Sequence, residues 1–126
     1  MRILSFVALS CLAFALAGCG GSGIVSPFFG SYAAEPWTQP SPSDTGTITL
    51  NVSAVGTVSG SLVDNGASLT YSISGLIDDN GNFSATITPT AGPTGSLSGV
   101  LSLSGGGQIV GTLDATGGTL NTLIVN

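Results

Sequence analysis

An all-β domain of about eight strands is what this sequence predicts: a small up-and-down antiparallel β-barrel or strongly coiled meander, with a β-sandwich as second choice. Three observations lead there. Apolar and polar residues alternate with period two through nearly every segment after Gly46, and no stretch carries a helical period with caps. Turn-forming runs of Asn, Asp and Gly fall between those segments. Lys, a common guard of open sheet edges, does not occur at all, which favours a sheet closed on itself. A chain of 126 residues is one domain on length alone.

The chain opens on a short positive start, Met1-Arg2. Ile3 to Ala17 follows, an apolar or small-residue run broken in polarity only by Ser5 and Ser10. At about 15 residues this run is shorter than the roughly 20 that span a bilayer as a helix. It has the length and flanks of the apolar region of a secretory signal. Cys19, just beyond it, has few other uses. The only second cysteine, Cys11, lies within the apolar run, and a zinc site needs three or four ligands where the chain has no His and no third Cys.

Leu16-Ala17-Gly18-Cys19 resembles the lipobox of bacterial lipoproteins, with Leu three residues before the cysteine and small residues between. The resemblance covers residues 1–19 alone and carries no information on the fold. It implies that residues 1–18 are a cleaved signal peptide, that the Cys19 thiol takes a diacylglycerol, and that the new amino group is acylated, palmitate being the expected chain. More than one acyl chain makes a stable membrane anchor. An Asp after the cysteine tends to retain such proteins at the inner membrane. Here that position is Gly20, so the resemblance implies a cell-envelope location, at the outer membrane where the host is Gram-negative.

Residues 19–27 then read as the lipidated cysteine and a Gly/Ser-type tether, whose root-mean-square reach is roughly 15 Å. The single all-β domain is expected over residues 28–126. Its first segment, "FFGSYAAEPW", holds Phe28, Phe29, Tyr32 and Trp37 and reads as an edge or closing strand ended by Pro36. Thr38 to Gly46, with Pro40 and Pro42, reads as a loop. Alternating strands follow at 46–52, 57–63, 68–77, 82–88, 95–104 and 108–114, with a less regular run at 119–125. Asp64-Asn65-Gly66, Asp79-Asn80-Gly81, Gly92-Pro93, Gly105-Gly106-Gly107 and Gly117-Gly118 mark the turns. Gly60, Gly75, Gly99 and Gly111 fall on the apolar side of their strands, where glycine permits sharp curling and close approach of a neighbour.

Gly30-x-Tyr32, followed by Trp37 and a β-meander, is similar to lipocalin- and avidin-like barrels. The lipocalin signature places its Trp two residues after the glycine, which this chain does not. The resemblance concerns fold and transfers no site.

Composition narrows function by exclusion. The sole cation is Arg2, against six acids: Glu35, Asp44, Asp64, Asp78, Asp79 and Asp114. Nucleic acid is excluded as a partner, since neutralising phosphates takes Lys and Arg. Disorder is also disfavoured, with 42% hydrophobic residues. With no His, no Lys and no free thiol once Cys19 is acylated, no base stands ready to activate a hydroxyl, and no enzyme or cofactor is expected. "DDNGN" at 78–82 lacks the spacing of a calcium loop and reads as a turn. Thr45, Thr47 and Thr49, and Thr86, Thr88 and Thr90, read as outward polar rows. A membrane-spanning barrel is disfavoured by strands near seven residues, where about 9–11 are required. What remains is a non-catalytic, lipid-anchored interaction or structural module. The alternatives are a barrel binding a small apolar or glycan ligand, with Tyr32, Trp37, Tyr71 and Phe83 as candidate walls, and an acidic inhibitor of a cationic envelope enzyme.

Overall fold

The computed structural model describes residues 25–126. Eight strands run β1 (Gly30–Pro40), β2 (Ser43–Val52), β3 (Thr57–Asp64), β4 (Leu69–Ile77), β5 (Asn82–Pro89), β6 (Gly95–Leu103), β7 (Ile109–Thr116) and β8 (Thr122–Val125). Each pairs antiparallel with its neighbours in sequence, and β8 returns to β1 to close the barrel. The predicted up-and-down barrel is therefore the fold, and the sandwich is not.

The period-two pattern decides inside from outside. Ile48, Leu50, Val58, Leu62, Ile73, Ile87, Leu97, Leu101, Leu113 and Leu123 all point inward and are buried. Their outward neighbours are mostly hydroxyl residues. One row passes around seven strands in register: Ser31, Asn51, Ser59, Ser74, Thr86, Ser96 and Thr116. A bilayer-spanning barrel carries its apolar band on the outside; this barrel carries it within.

The inward glycines set the curvature. A Cβ on Gly75 would lie 2.5 Å from the Cα of Ala85 and run into the Ser84 carbonyl on β5. At Gly60 it would strike the Thr49 carbonyl, at Gly99 that of Thr112, and at Gly111 that of Val100. Neighbouring backbones approach so closely at these four points that only hydrogen fits.

Two departures from the sequence reading concern β1. Pro36 does not end the strand, and Thr38 to Gly46 is not a loop: pairing continues through Pro36↔Thr47 and Thr38↔Thr45 to Pro40↔Ser43, leaving a two-residue connection, Ser41-Pro42, with a cis peptide bond. The Pro36 carbonyl faces the β8 side, where the Asn126 N–H donates to it at 3.1 Å. Backbone donor and acceptor of one strand residue point the same way, so the missing proline N–H is not subtracted from the β2 ladder. The second departure is a bulge between Tyr32 and Glu35. One extra residue reverses the alternation, with Ala34 at φ 52° and its N–H donating to Thr49 Oγ1 at 3.0 Å. Glu35, Trp37 and Gln39 consequently face inward along with Tyr32.

The last strand, too, is shorter than the run at 119–125: residues 117–121 form the turn before it. β1 and β8 pair directly only at Trp37↔Val125 and Thr38↔Ile124. Above those rungs the Gln39 side chain takes over. Its Oε1 accepts from the Asn121 N–H at 2.7 Å, and its Nε2 donates to the Thr119 carbonyl at 3.2 Å and the Pro42 carbonyl at 2.9 Å. A side-chain amide has the same donor and acceptor as a peptide, so it extends the seam where backbone pairing stops.

Candidate functional site

The connections divide between two ends. The upper end bears residues 41–42, 65–68, 90–94 and 117–121; the lower end bears residues 25–29 together with 53–56, 78–81 and 104–108. Cys19, the lipobox and the signal segment 1–18 lie outside the described residues.

Tyr32, Trp37, Tyr71 and Phe83 do not gather around a cavity. All four belong to the buried core, Trp37 at 1% exposure. Tyr32 and Phe83 serve the lower half, where the Tyr32 hydroxyl donates to the Phe28 carbonyl at 2.7 Å. Trp37 and Tyr71 serve the upper half. The Trp37 ring covers Gly46, its cross-strand partner, and its indole N–H donates to the Thr47 carbonyl at 3.2 Å. An aromatic ring laid over a glycine fills the space that a side chain there would have taken. The pocket-wall reading of these aromatics gives way to a packing one, because the bulge and the glycines let the strands close tightly around them.

At the upper end two acids meet. Asp44 Oδ1 accepts from the Thr45 N–H at 2.8 Å and the Gly66 N–H at 2.9 Å. Asp64 is fully buried, and its Oδ1 accepts from the Ala67 N–H at 3.1 Å. Its Oδ2 has no such donor; the Asp44 carboxyl lies within hydrogen-bonding reach. Two carboxylates so placed cannot both stay ionised cheaply, and one retained proton resolves the contact. The hydrogen bond from Asp64 holds Asp44 below the usual carboxylate range, while burial, then Asp44 itself, pushes Asp64 above it. Tyr71 stands nearby, its hydroxyl pushed up by burial and then by the charges of Asp64 and Asp44. The pair clips the β1–β2 connection to the β3–β4 turn. Oδ1 of each carboxyl is spent on turn N–H groups, which makes the pair a fastening.

Asp78 is similarly placed. It accepts from the Asn80 and Asn82 N–H groups at 2.9 Å and from Asn82 Nδ2 at 2.8 Å, closing its own turn as the sequence suggested. Those bonds hold its carboxyl below the usual range. Among the described residues no three His, Cys, Asp or Glu side chains are grouped to hold a metal ion. Glu35, turned in by the bulge, is buried with Oε1 unpartnered, a cost that an ordinary surface acid escapes.

The feature that sequence reading missed is an asymmetry of the ends. Ser26 does not trail as part of the tether read over residues 19–27, and Phe28 and Phe29 precede β1 rather than belong to the first strand. The Ser26 N–H donates to the Ala54 carbonyl at 2.8 Å, and Phe28 is buried against Gly81, closing the barrel floor. Around that floor stand exposed apolar side chains: Val25, Phe29 at 59%, Val55 at 83% and Leu76 at 62%, with Val100 and Leu103 just above. The upper turns carry Ser41, Asn65, Ser68, Thr90, Thr94 and Asn121 instead. Val55 at a turn tip could have been noticed in the sequence. Its neighbourhood with Phe29 and Leu76 could not.

The chain matches no protein-family model, no curated protein and no solved structure.

Proposed function

We propose that this chain is a lipid-anchored lipoprotein of the cell envelope whose barrel is a non-catalytic interaction or structural module. The observation that carries the reading is Leu16-Ala17-Gly18-Cys19, placed behind an apolar run and only a few residues before the barrel floor. The packed interior supports it against the small-ligand alternative, since the four aromatics that would have lined a pocket are themselves the core. The outward face offers hydroxyls and scattered carboxylates for contact with a partner, and no cation among residues 25–126. Delivery to the outer membrane, in a Gram-negative host, follows from Gly20 in the position after the cysteine.

Metabolic labelling with a fatty acid tests the anchor. The wild-type chain should take up label and Cys19→Ala should not. Equal labelling of both would place the lipid elsewhere and remove the basis for the location.

A further inference from the structure

We infer that the lower end of the barrel is a membrane-docking face that rests its apolar rim in the headgroup layer of a zwitterionic bilayer. This deepens, and rests on, the reading of Cys19 as a lipid anchor. Three observations support it. The described chain begins at Val25 on this end, directly beside the 53–56 turn, because Ser26 bonds to Ala54. Only five residues lie between Cys19 and Val25, and the six steps from one to the other span at most about 20 Å when fully extended. Whatever holds Cys19 must therefore lie close beneath this end and far from the polar turns opposite.

The second observation is the distribution of apolar surface. Val25, Phe29, Val55 and Leu76 are half or more exposed, and all four sit at the end that the anchor would hold down. Isolated exposed apolar residues are ordinary; here six of the seven exposed large apolar side chains lie at or just above this one pole, the exception being Ile124 on β8, the least exposed of them, and such clustering marks a contact. Phe29 borders one shallow hollow with Ser31 and Asn51, and Val55 and Leu76 border the next with Asp78 and Asp79. The third observation is charge, which selects the kind of lipid. Asp78 and Asp79 stand in the same rim, and the described chain has no cation to offset them. An anionic leaflet would repel this end, whereas a zwitterionic one accepts an apolar rim without that penalty.

The experiment uses the processed, lipidated full chain in phosphatidylethanolamine–phosphatidylcholine vesicles. A polarity-sensitive fluorophore is placed at Val55→Cys, or at Ala91→Cys on the opposite end, both exposed turn positions. On vesicle binding the probe at 55 should shift to the blue and be quenched severalfold more strongly by spin-labelled lipid than the probe at 91. Mixing in phosphatidylglycerol should weaken that quenching. Equal, weak quenching at both positions, in protein that still floats with the vesicles, would overturn the docking and leave the anchor standing. A blue shift at 55 that appears without vesicles as protein concentration rises would assign this end to a second copy instead, overturning the proposal. Wild-type chain that carries no lipid on Cys19 and fails to float would remove the anchor, and the docking with it.

Discussion

Asp64 is the residue on which pH acts. Its carboxyl is pushed above the ordinary value of 3.8 by burial and by Asp44, so the unfolded chain gives up this proton at a lower pH than the fold does. Stability from Asp64 is complete below 3.8 and declines as pH rises through the folded value. Asp44 and Asp78, both held down, behave oppositely: their contributions are present above 3.8 and fade as pH falls through their folded values. The wild type should therefore melt at a lower temperature at neutral pH than at mildly acidic pH. Asp64→Asn keeps a donor toward Asp44 without the titration, and thermal melts across a pH series should show its decline toward neutrality flattened. Identical slopes in the two proteins would mean that the acids do not share a proton.

Among the elements, β4 shows how glycine position governs the curl. Gly75 and Ser74 are adjacent, one facing Ala85 and Val58 inside, the other in the outer hydroxyl row. A side chain at 75 must displace backbone on β5, so Gly75→Leu should cost about 1–3 kcal/mol. Ser74→Leu should change stability by less than about 0.5 kcal/mol, since nothing packs over it. Chemical denaturation of both variants decides the matter, and equal midpoints would contradict an inward glycine face. β1 departs from its sequence pattern for an equally local reason. Tyr32 and Trp37 are an odd number of residues apart, so a regular strand would send one of them to solvent. The bulge at Ala33–Ala34 brings both inside, and Glu35 and Gln39 with them.

For the whole molecule the outcome is a barrel with a filled interior and unlike ends. Apolar probe molecules should accordingly leave Trp37 fluorescence and the melting temperature unchanged, because the aromatics that would wall a pocket are packed into the core and offer no binding for mass action to work through. Quenching of Trp37 together with a raised melting temperature would reopen the small-ligand reading. On the proposed lipid-anchored reading, the pole bearing Phe29 and Val55 would face the anchor, which would leave the barrel wall and upper turns for any protein partner.

Local pattern alone determined the class of fold, seven of the eight strand positions in substance, the turns at 64–66 and 79–81, and the side of the sheet on which each glycine lies. Those follow from period-two alternation and turn chemistry, which are properties of neighbours along the chain. The candidate site was legible only in part: Tyr32, Trp37, Tyr71 and Phe83 were recognisable as the residues to watch, and their burial is plain in the structure. Whether they enclosed a space depended on how closely strands approach at Gly60, Gly75, Gly99 and Gly111, which no linear pattern records. The same holds for the bulge, for Gln39 standing in as a rung between β1 and the turn before β8, and for the meeting of Asp44 with Asp64. Each joins segments whose register is set by closure of the barrel, and closure is a property of all eight strands together.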